Sequence, residues 1–157
     1  MLKGKHVRYA CVDCGFEQSQ GIRDFCPQCS GMMDVNYALG DVRLYDSGNP
    51  LERYFDLLPI EDPSNLLPID LASTACVHAT SLGRRYGMPA LYFKDETALP
   101  TRSTKDRMAA VVLSLMKECG VFEFGVSSTG NSSTALAYLV SDSKDFRLRI
   151  FTGESFV

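Results

Sequence analysis

The sequence predicts an α/β fold, with a partial parallel sheet in a three-layer arrangement, preceded by a small metal-binding module. Two observations predict it. Strand-like and helical patterns alternate through the second half of the chain, and four of the six cysteines form two Cys-x-x-Cys pairs near its start. Strands that alternate with helices favour parallel pairing through right-handed crossovers. We therefore expect a zinc-ribbon module over residues 1–40 and an α/β domain over residues 41–157.

The composition is that of a globular protein. Of the 157 residues, 45% are hydrophobic and 22% are charged, and the formal net charge is −3. Nucleic-acid binding needs a basic face, and the longest apolar run, MAAVVLSLM, is far shorter than the roughly 20 residues that span a bilayer. The start has no apolar stretch typical of a secretory signal. We expect a cytoplasmic protein with reduced cysteines and with neither a nucleic-acid nor a membrane partner.

The first module is defined by two cysteine knuckles separated by eleven residues. They consist of Cys11, Cys14, Cys26 and Cys29. Two such pairs let four thiolates converge on one zinc ion, and the small residues Gly15, Ser30 and Gly31 let backbone amides turn toward the sulfurs. Such a closed site leaves no position for substrate, so its role would be structural. A redox-active pair is the alternative.

The next elements are predicted from periodicity and from turn residues. Apolar residues at helical spacing indicate a helix over residues 51–58, and three prolines make residues 59–70 an irregular connection. A short helix over residues 78–87 would end at Gly87. The two remaining cysteines, Cys76 and Cys119, are predicted to be small buried hydrophobic residues.

The α/β alternation begins near residue 90. The predicted strands cover residues 90–96, 121–128 and 146–152, and the predicted helices cover residues 103–120 and 131–143. Ser103 or Thr104 can cap the first of these helices, and Gly120 can close it. Its middle is apolar nearly all round, so we expect it to be deeply buried.

Two polar segments of this region could carry chemistry. In LPTRSTKDRMAA, Lys105 lies in the first turn of a helix, where the dipole disfavours a cation. A lysine held there can become a nucleophile, although an ordinary surface lysine is the alternative. In SSTGNSSTALAYL, the turn Ser128-Thr129-Gly130 precedes a helix and could bind a phosphate or carboxylate. Asn131 adds a side-chain amide; a plain capped turn is the alternative.

Together these segments resemble a known family. YFKDETALPTRSTKDRMA (92–109), followed by SSTGNSSTALAYL (127–139), is similar to the pyridoxal-phosphate enzymes of the threonine synthase family, which carry K-D-E-x-x-x-P-T-G-S-F-K-D-R and then S-x-G-N. These enzymes have the tryptophan-synthase-β-like fold, fold type II. Many members begin with a four-cysteine zinc ribbon, and LERYFDLLP resembles their linker before the catalytic domain.

The resemblance implies a cofactor and roles for particular residues. Lys105 would hold pyridoxal phosphate covalently and later move protons, and Asn131 would contact the ring hydroxyl of the cofactor. Ser128, Thr129 and Gly130 would lie in the loop that grips the α-carboxylate of a small amino-acid substrate. The family reaction eliminates phosphate from O-phosphohomoserine and adds water to give threonine. Related chemistry includes β-replacement, as in cysteate synthase.

The sequence departs from the family pattern beside the implied anchor. Arg102 stands where the family has glycine, and Thr104 where it has phenylalanine. Arg102 would either bind a substrate phosphate or sulfonate or crowd the site. LASTACVHA (71–79) replaces the family's G-x-T-P-L segment.

The chain is also short for this family, whose catalytic domain is about twice as long, consistent with a sheet covered on both faces. We expect a fragment, or one half of a split enzyme, that is inactive alone. The missing part would be a C-terminal half or a second polypeptide, and a homodimer is left open. The alternative is a non-catalytic zinc-ribbon protein with a degenerate domain.

Overall fold

The computed structural model places the chain in two compact units. The first comprises Met1–Pro68 and Val111–Phe122, and the second comprises Ile69–Ala110 and Glu123–Val157. The predicted boundary between residues 40 and 41 lies outside the described residues. The structure describes residues 7–18, 21–37, 42–69, 71, 73–141 and 143–154. Its mixture of small sheets and helices agrees with the predicted α/β class.

The first unit begins with a three-stranded antiparallel sheet that the sequence analysis did not predict. Strands β1 (Val7–Cys11), β2 (Glu17–Gln18) and β3 (Met33–Tyr37) lie in the order β2-β1-β3. Tyr9 in the central strand is paired with Gln18 on one side and Val35 on the other. The turn between β1 and β2 carries the first cysteine knuckle, so the sheet positions the cysteines.

The helical segment predicted over residues 51–58 is present as two short pieces. Helix α1 (Pro50–Arg53) begins after Asn49, whose side-chain oxygen accepts a hydrogen bond from the Leu51 amide at 3.0 Å. A proline at the first helical position and an asparagine cap are a common helix start. A 3₁₀ turn, Phe55–Leu57, follows. Leu51, Phe55 and Ile60 are all buried, so this segment is part of the core of the first unit.

The long helix predicted over residues 103–120 is confirmed, and it is labelled α3 by its place in the chain. It spans Lys105–Glu118. Ser103 caps its start, because the Ser103 hydroxyl accepts a hydrogen bond from the Lys105 amide at 3.2 Å. Gly120 closes its end in the left-handed conformation, with φ of 68°. The helix is only partly covered, since Val112 is 37% exposed. Its buried residues are Asp106, Ala109, Ala110, Leu113, Ser114 and Met116.

The carboxylate of Glu118 fixes the connection that follows the 3₁₀ turn. It accepts hydrogen bonds from the backbone amides of Glu61 at 3.0 Å and Asp62 at 2.8 Å, and from the Asn65 side-chain amide at 3.2 Å. Both amides would otherwise need another acceptor. One acidic side chain thus orders a proline-rich segment that has little secondary structure of its own.

Replacing Glu118 with alanine is expected to lower the free energy of unfolding by about 1–3 kcal/mol, because three donors lose a charged acceptor. Urea denaturation measures this loss, and hydrogen exchange should rise at the amides of residues 61 and 62. Lys117→Ala is the control, since Lys117 donates a single bond, to the Ser64 carbonyl at 3.0 Å. Equal effects of the two substitutions would contradict the role given to Glu118.

The second unit contains a two-stranded antiparallel ribbon. Strand β4 (Cys76–His78) leads into helix α2 (Thr80–Tyr86), and the chain returns as β5 (Tyr92–Lys94). Val77 is paired with Phe93. The predicted helix over residues 78–87 is confirmed, and it ends at Gly87 as expected. All six ribbon residues are exposed.

A parallel pair completes the second unit. Strands β6 (Glu123–Ser127) and β7 (Arg147–Phe151) are parallel, with Glu123 beside Arg147 and Ser127 beside Phe151. Helix α4 (Asn131–Ser141) forms the crossover between them. These three elements confirm the predictions for residues 121–128, 131–143 and 146–152, apart from position 142, which lies outside the described residues.

The prediction of three parallel strands is wrong for the first of them. In the part of the chain that the structure describes, β5 pairs with β4 and only β6 and β7 are parallel. The Ala79 amide donates to the Leu91 carbonyl and the Asp95 amide to the Ala75 carbonyl, both at 2.9 Å, which ties the ribbon at its two ends. The strand was predicted from its own pattern, but its partner is set by the return of the chain through α2.

The expected burial of the two lone cysteines is also corrected. Cys76 is exposed because it lies on the open ribbon, and Cys119 is only partly buried. The helices within the described ranges are all too short, or too polar, to cross a bilayer.

Candidate functional site

The four predicted cysteine ligands lie together in one cluster. Their Sγ atoms are all within 4.8 Å of one another, with Cys11 and Cys29 3.5 Å apart and Cys14 and Cys26 3.6 Å apart. Four sulfurs about 2.3 Å from a tetrahedral zinc ion are about 3.8 Å apart. The chemistry and spacing of this donor set therefore fit one zinc-sized ion.

Backbone amides point toward three of the sulfurs, and among the small residues singled out in the sequence Gly31 supplies one of these amides. The amides of Asp13, Gln28 and Gly31 each lie 3.4 Å from the Sγ atom of the cysteine two residues earlier. Such bonds stabilise thiolates. A Cβ at Gly31 would displace the exposed Asp13 carboxylate and lie 3.0 Å from the Cys11 sulfur, so the space beside the cluster is tight at this position.

The thiols of this cluster influence each other's protonation. Backbone hydrogen bonds from Cys14 and Asp13 lower the pKa of Cys11 to about 7. The Gly31 amide lowers the pKa of Cys29, but the neighbouring thiols of Cys14 and Cys11 outweigh it and raise that pKa to about 12. Crowded sulfurs resist becoming anionic together, and a bound cation relieves this repulsion.

Lys105 is the first residue of α3, and its side chain is exposed. It follows a tight turn in which the Arg102 amide donates to the Leu99 carbonyl at 2.8 Å. Arg102 has φ of 58°, the left-handed region that favours glycine. The backbone conformation therefore gives a physical reason for the glycine that the resembling family has at this position.

The residues next to Lys105 in the sequence anchor this turn, and sequence reasoning did not single them out. Asp106 is fully buried and accepts hydrogen bonds from the Thr101 amide at 2.8 Å and the Thr101 hydroxyl at 2.5 Å. Arg107 binds Glu96 at 2.6 Å through Nε and at 3.0 Å through Nη2. The alternating charges of K-D-E and K-D-R are the sequence signal that could have indicated the Glu96–Arg107 ion pair.

The Glu96 carboxylate also accepts a hydrogen bond from the Thr74 hydroxyl at 2.6 Å, and the Lys94 ammonium group donates to the Thr74 carbonyl. The Arg107 guanidinium lowers the pKa of Glu96 to about 2. This network ties the LASTACVHA segment, the K-D-E segment and the start of α3 together within the second unit.

The second polar segment forms a turn at the start of α4. The Ser133 hydroxyl donates to the carbonyls of Gly130 at 2.8 Å and Ser128 at 3.3 Å, and the Gly130 amide lies 3.3 Å from the Ser128 hydroxyl. Asn131 and Thr129 are exposed, and a Cβ at Gly130 would meet open space. Because amides in a first helical turn lack intrahelical acceptors, this turn has donors suited to an anion.

Lys105 and Asn131 each stand at the first position of a helix in the second unit. Among the described residues, no hydrogen bond or ion pair joins Lys105 or Arg102 to residues 127–131. The four cysteines thus lie together in one cluster, whereas the other predicted site residues lie in two separate turns.

A cavity of about 330 Å³ in the first unit contains none of these residues. Tyr9 and Cys119 are among its lining groups, and burial raises the pKa of Tyr9 to about 12. This cavity is therefore not the location of the predicted chemistry.

Comparison with known proteins identifies the family. The sequence profile described as pyridoxal-phosphate dependent enzyme matches residues 69–156, which include both polar turns. The chain therefore belongs to this family of pyridoxal-phosphate-dependent enzymes, and the resemblance to threonine synthases is confirmed.

Curated relatives place the similarity more narrowly. Threonine synthase of Methanocaldococcus jannaschii is 30% identical over 134 residues, which cover 81% of this chain and 33% of the relative. Threonine synthase of Methanosarcina acetivorans is 32% identical over 133 residues, 81% of this chain and 32% of the relative. Cysteate synthase of Methanosarcina mazei is 27% identical over 131 residues, 82% of this chain and 31% of the relative.

The chain thus spans about a third of the length of these relatives. No solved structure matches it significantly.

The side chains of the second unit fit the cofactor that defines the family. An exposed primary amine at Lys105 is the group that can bind an aldehyde, and the α4 turn offers amide and hydroxyl donors beside an exposed Asn131 side chain. The exposed amine of Lys105 is suited to covalent attachment of the cofactor, and the exposed amide of Asn131 is suited to a hydrogen bond with its ring.

Proposed function

We propose that this chain is the N-terminal part of a threonine synthase-like, pyridoxal-phosphate-dependent lyase that acts on a phosphorylated amino acid. The observation that carries the proposal is the fixed turn that presents Lys105 at the start of α3, within a family match that covers residues 69–156. When bound, the cofactor supplies an electron sink for charge that develops at the substrate α-carbon. The enzyme would work in the cytoplasm on a small-molecule substrate.

Each exposed turn has a defined part in this proposal. Lys105 would hold the cofactor through its amine and then take and return a proton at the substrate α-carbon. Asn131 would orient the cofactor ring through its side-chain amide. Ser128, Thr129 and Gly130 would bind the substrate α-carboxylate at the positive end of α4.

Arg102 is proposed to bind the phosphate group of the substrate. Its exposed guanidinium lies three residues before Lys105, in a turn whose backbone disfavours any side chain. A guanidinium can make two parallel hydrogen bonds to a phosphate or sulfonate oxygen pair. The preferred reaction is elimination of phosphate from O-phosphohomoserine followed by addition of water to give threonine.

A cysteate synthase-like β-replacement is the second candidate. The similarity to the Methanosarcina mazei enzyme favours it, and Arg102 suits a sulfonate product as well as a phosphate. Phosphate release from O-phosphohomoserine with water, compared with release from O-phosphoserine with sulfite as the incoming nucleophile, separates the two when the chain is assayed together with the remaining part of its enzyme. Release from neither would favour a degenerate, non-catalytic domain.

The cysteine cluster is proposed to hold one structural zinc ion. Four sulfurs within 4.8 Å of one another leave no position for substrate. The metal would stabilise the β1–β3 sheet, which is too small to build an extensive core by itself.

Borohydride reduction of the chain with pyridoxal phosphate is expected to fix the cofactor to one lysine, Lys105, as read by peptide mass spectrometry. In Lys105→Ala the specific label should fall by more than about tenfold, because no other amine has this position. Lys144→Ala is the control, since Lys144 is an exposed lysine of the same unit outside both turns. The proposal fails if the label is absent or is spread over surface lysines. The experiment does not require turnover, so it applies to the chain alone.

A further inference from the structure

Asp106 stands out among the charged residues that the structure describes in the second unit, because its side chain has no exposed surface. A buried carboxylate is costly unless it is hydrogen-bonded. It lies between Lys105, the proposed cofactor anchor, and Arg107, which is bound to Glu96. The cost of burying the Asp106 carboxylate must therefore be offset by the hydrogen bonds that it accepts.

The Asp106 carboxylate closes a short loop. One oxygen accepts from the Thr101 amide at 2.8 Å, and the other accepts from the Thr101 hydroxyl at 2.5 Å. The residues between these two points include Arg102 and Lys105. The loop is bonded internally as well, because the Ser103 hydroxyl accepts from the Lys105 amide at 3.2 Å and the Ser103 carbonyl accepts from the Asp106 amide at 3.1 Å.

The loop leaves little freedom to the backbone that carries the two exposed cations. Arg102 is held in the left-handed region, and Ser103 is buried. Covalent chemistry at an amine depends on its placement, and a displacement of about 1 Å can cost about a hundredfold in rate. A long lysine side chain can be placed only if its Cα atom is fixed.

We propose that Asp106 is a positioning residue, whose buried carboxylate clamps the 101–105 loop and so presents Lys105 and Arg102 together. This inference rests on the proposed function for its chemical consequence, but the clamp itself is a property of the protein alone. Asp106 is bonded to Thr101, so it would act through Thr101 and the backbone of the loop.

The test compares three variants of the full chain with the wild type. Asp106→Asn keeps the size but turns one acceptor into a donor, so one of the two Thr101 bonds is lost. Thr101→Val removes only the hydroxyl donor, and Asp106→Glu keeps the charge but moves it by one methylene. The variant Leu113→Ala lowers stability through a core cavity on the same helix, away from the loop.

Two readouts are taken: hydrogen exchange of the amides of residues 101–105, and the rate at which pyridoxal phosphate with borohydride labels Lys105. In Asp106→Asn, exchange is expected to rise and labelling to fall by about tenfold each, with smaller shifts in the same directions in Thr101→Val. Asp106→Glu should recover part of the labelling. Leu113→Ala should leave labelling at the wild-type rate.

Faster exchange in Asp106→Asn with unchanged labelling would overturn the positioning role and leave Asp106 as a structural residue. Unchanged exchange would overturn the clamp itself. If Asp106→Asn does not fold, Thr101→Val carries the same test, because it removes one bond and buries no new polar group. If wild-type Lys105 is not labelled, the proposed function fails, and the exchange data still decide whether the clamp exists.

Discussion

Replacing Cys26 with serine is expected to abolish metal binding by the four-cysteine cluster and to unfold the β1–β3 sheet around it. Cys26 is 3% exposed, and its sulfur lies 3.6 Å from that of Cys14. A structural zinc site contributes about 10–16 kcal/mol of apparent binding free energy in zinc-finger peptides, and this is also folding free energy. Zinc content per chain and protease resistance of residues 7–37 measure the loss.

Cys76→Ser is the matched control for this substitution. Cys76 is an exposed cysteine on β4, outside the cluster, so its replacement should leave the zinc content unchanged. A chelator added to the wild type should reproduce the effect of Cys26→Ser. Retention of one metal ion and of the folded sheet in Cys26→Ser would contradict a four-thiolate site, and so would wild-type protein purified without any metal.

The Glu96–Arg107 pair should make the stability of the second unit depend on pH. The folded-state pKa of Glu96 is about 2, below the ordinary value of 4.5. A lowered carboxyl pKa contributes stability that is complete above the ordinary value and is lost as the pH falls toward 2. Glu96→Gln is therefore expected to cost about 1–3 kcal/mol at pH 7, because a hydrogen bond between charged groups is lost.

The difference in unfolding free energy between wild type and Glu96→Gln should shrink as the pH falls below 4 and approach zero near pH 2. Urea denaturation at a series of pH values measures it. Glu123→Gln is the control, since the Glu123–Arg149 pair has the same chemistry at 2.7 Å but its side chains are 49% and 72% exposed. Exposed pairs contribute little. A pH-independent difference for Glu96→Gln would show that the pair contributes only through packing.

Local patterns explain which parts could be predicted from the sequence. The caps at Ser103 and Gly120 set the ends of α3 because helix ends depend on a few neighbouring residues. The cysteine spacing predicted the cluster for the same reason, since each knuckle is four residues long. The prediction that Lys105 and residues 128–131 are functional came from the resemblance, since each turn taken alone is also typical of an ordinary helix start.

What could not be predicted is mostly pairing between distant residues. The partner of β5 lies 16 residues earlier, where Val77 pairs with Phe93. The sequence pattern of neither strand indicates which strand it pairs with. The anchoring of Arg107 by Glu96 and Thr74 joins residues 11 and 33 positions apart. Cys76 was predicted to be buried from its residue type, but exposure follows from the ribbon on which it lies.

The left-handed backbone at Arg102 would set stability against activity at this position if Arg102 has its proposed role. A side chain in this conformation costs about 1–2 kcal/mol that glycine does not pay. If the guanidinium binds substrate phosphate, a library selected for heat resistance would drift toward glycine at residue 102, whereas one selected for turnover would keep arginine. Stabilising the protein by consensus design would then remove the proposed substrate contact without changing any residue proposed to bind the cofactor.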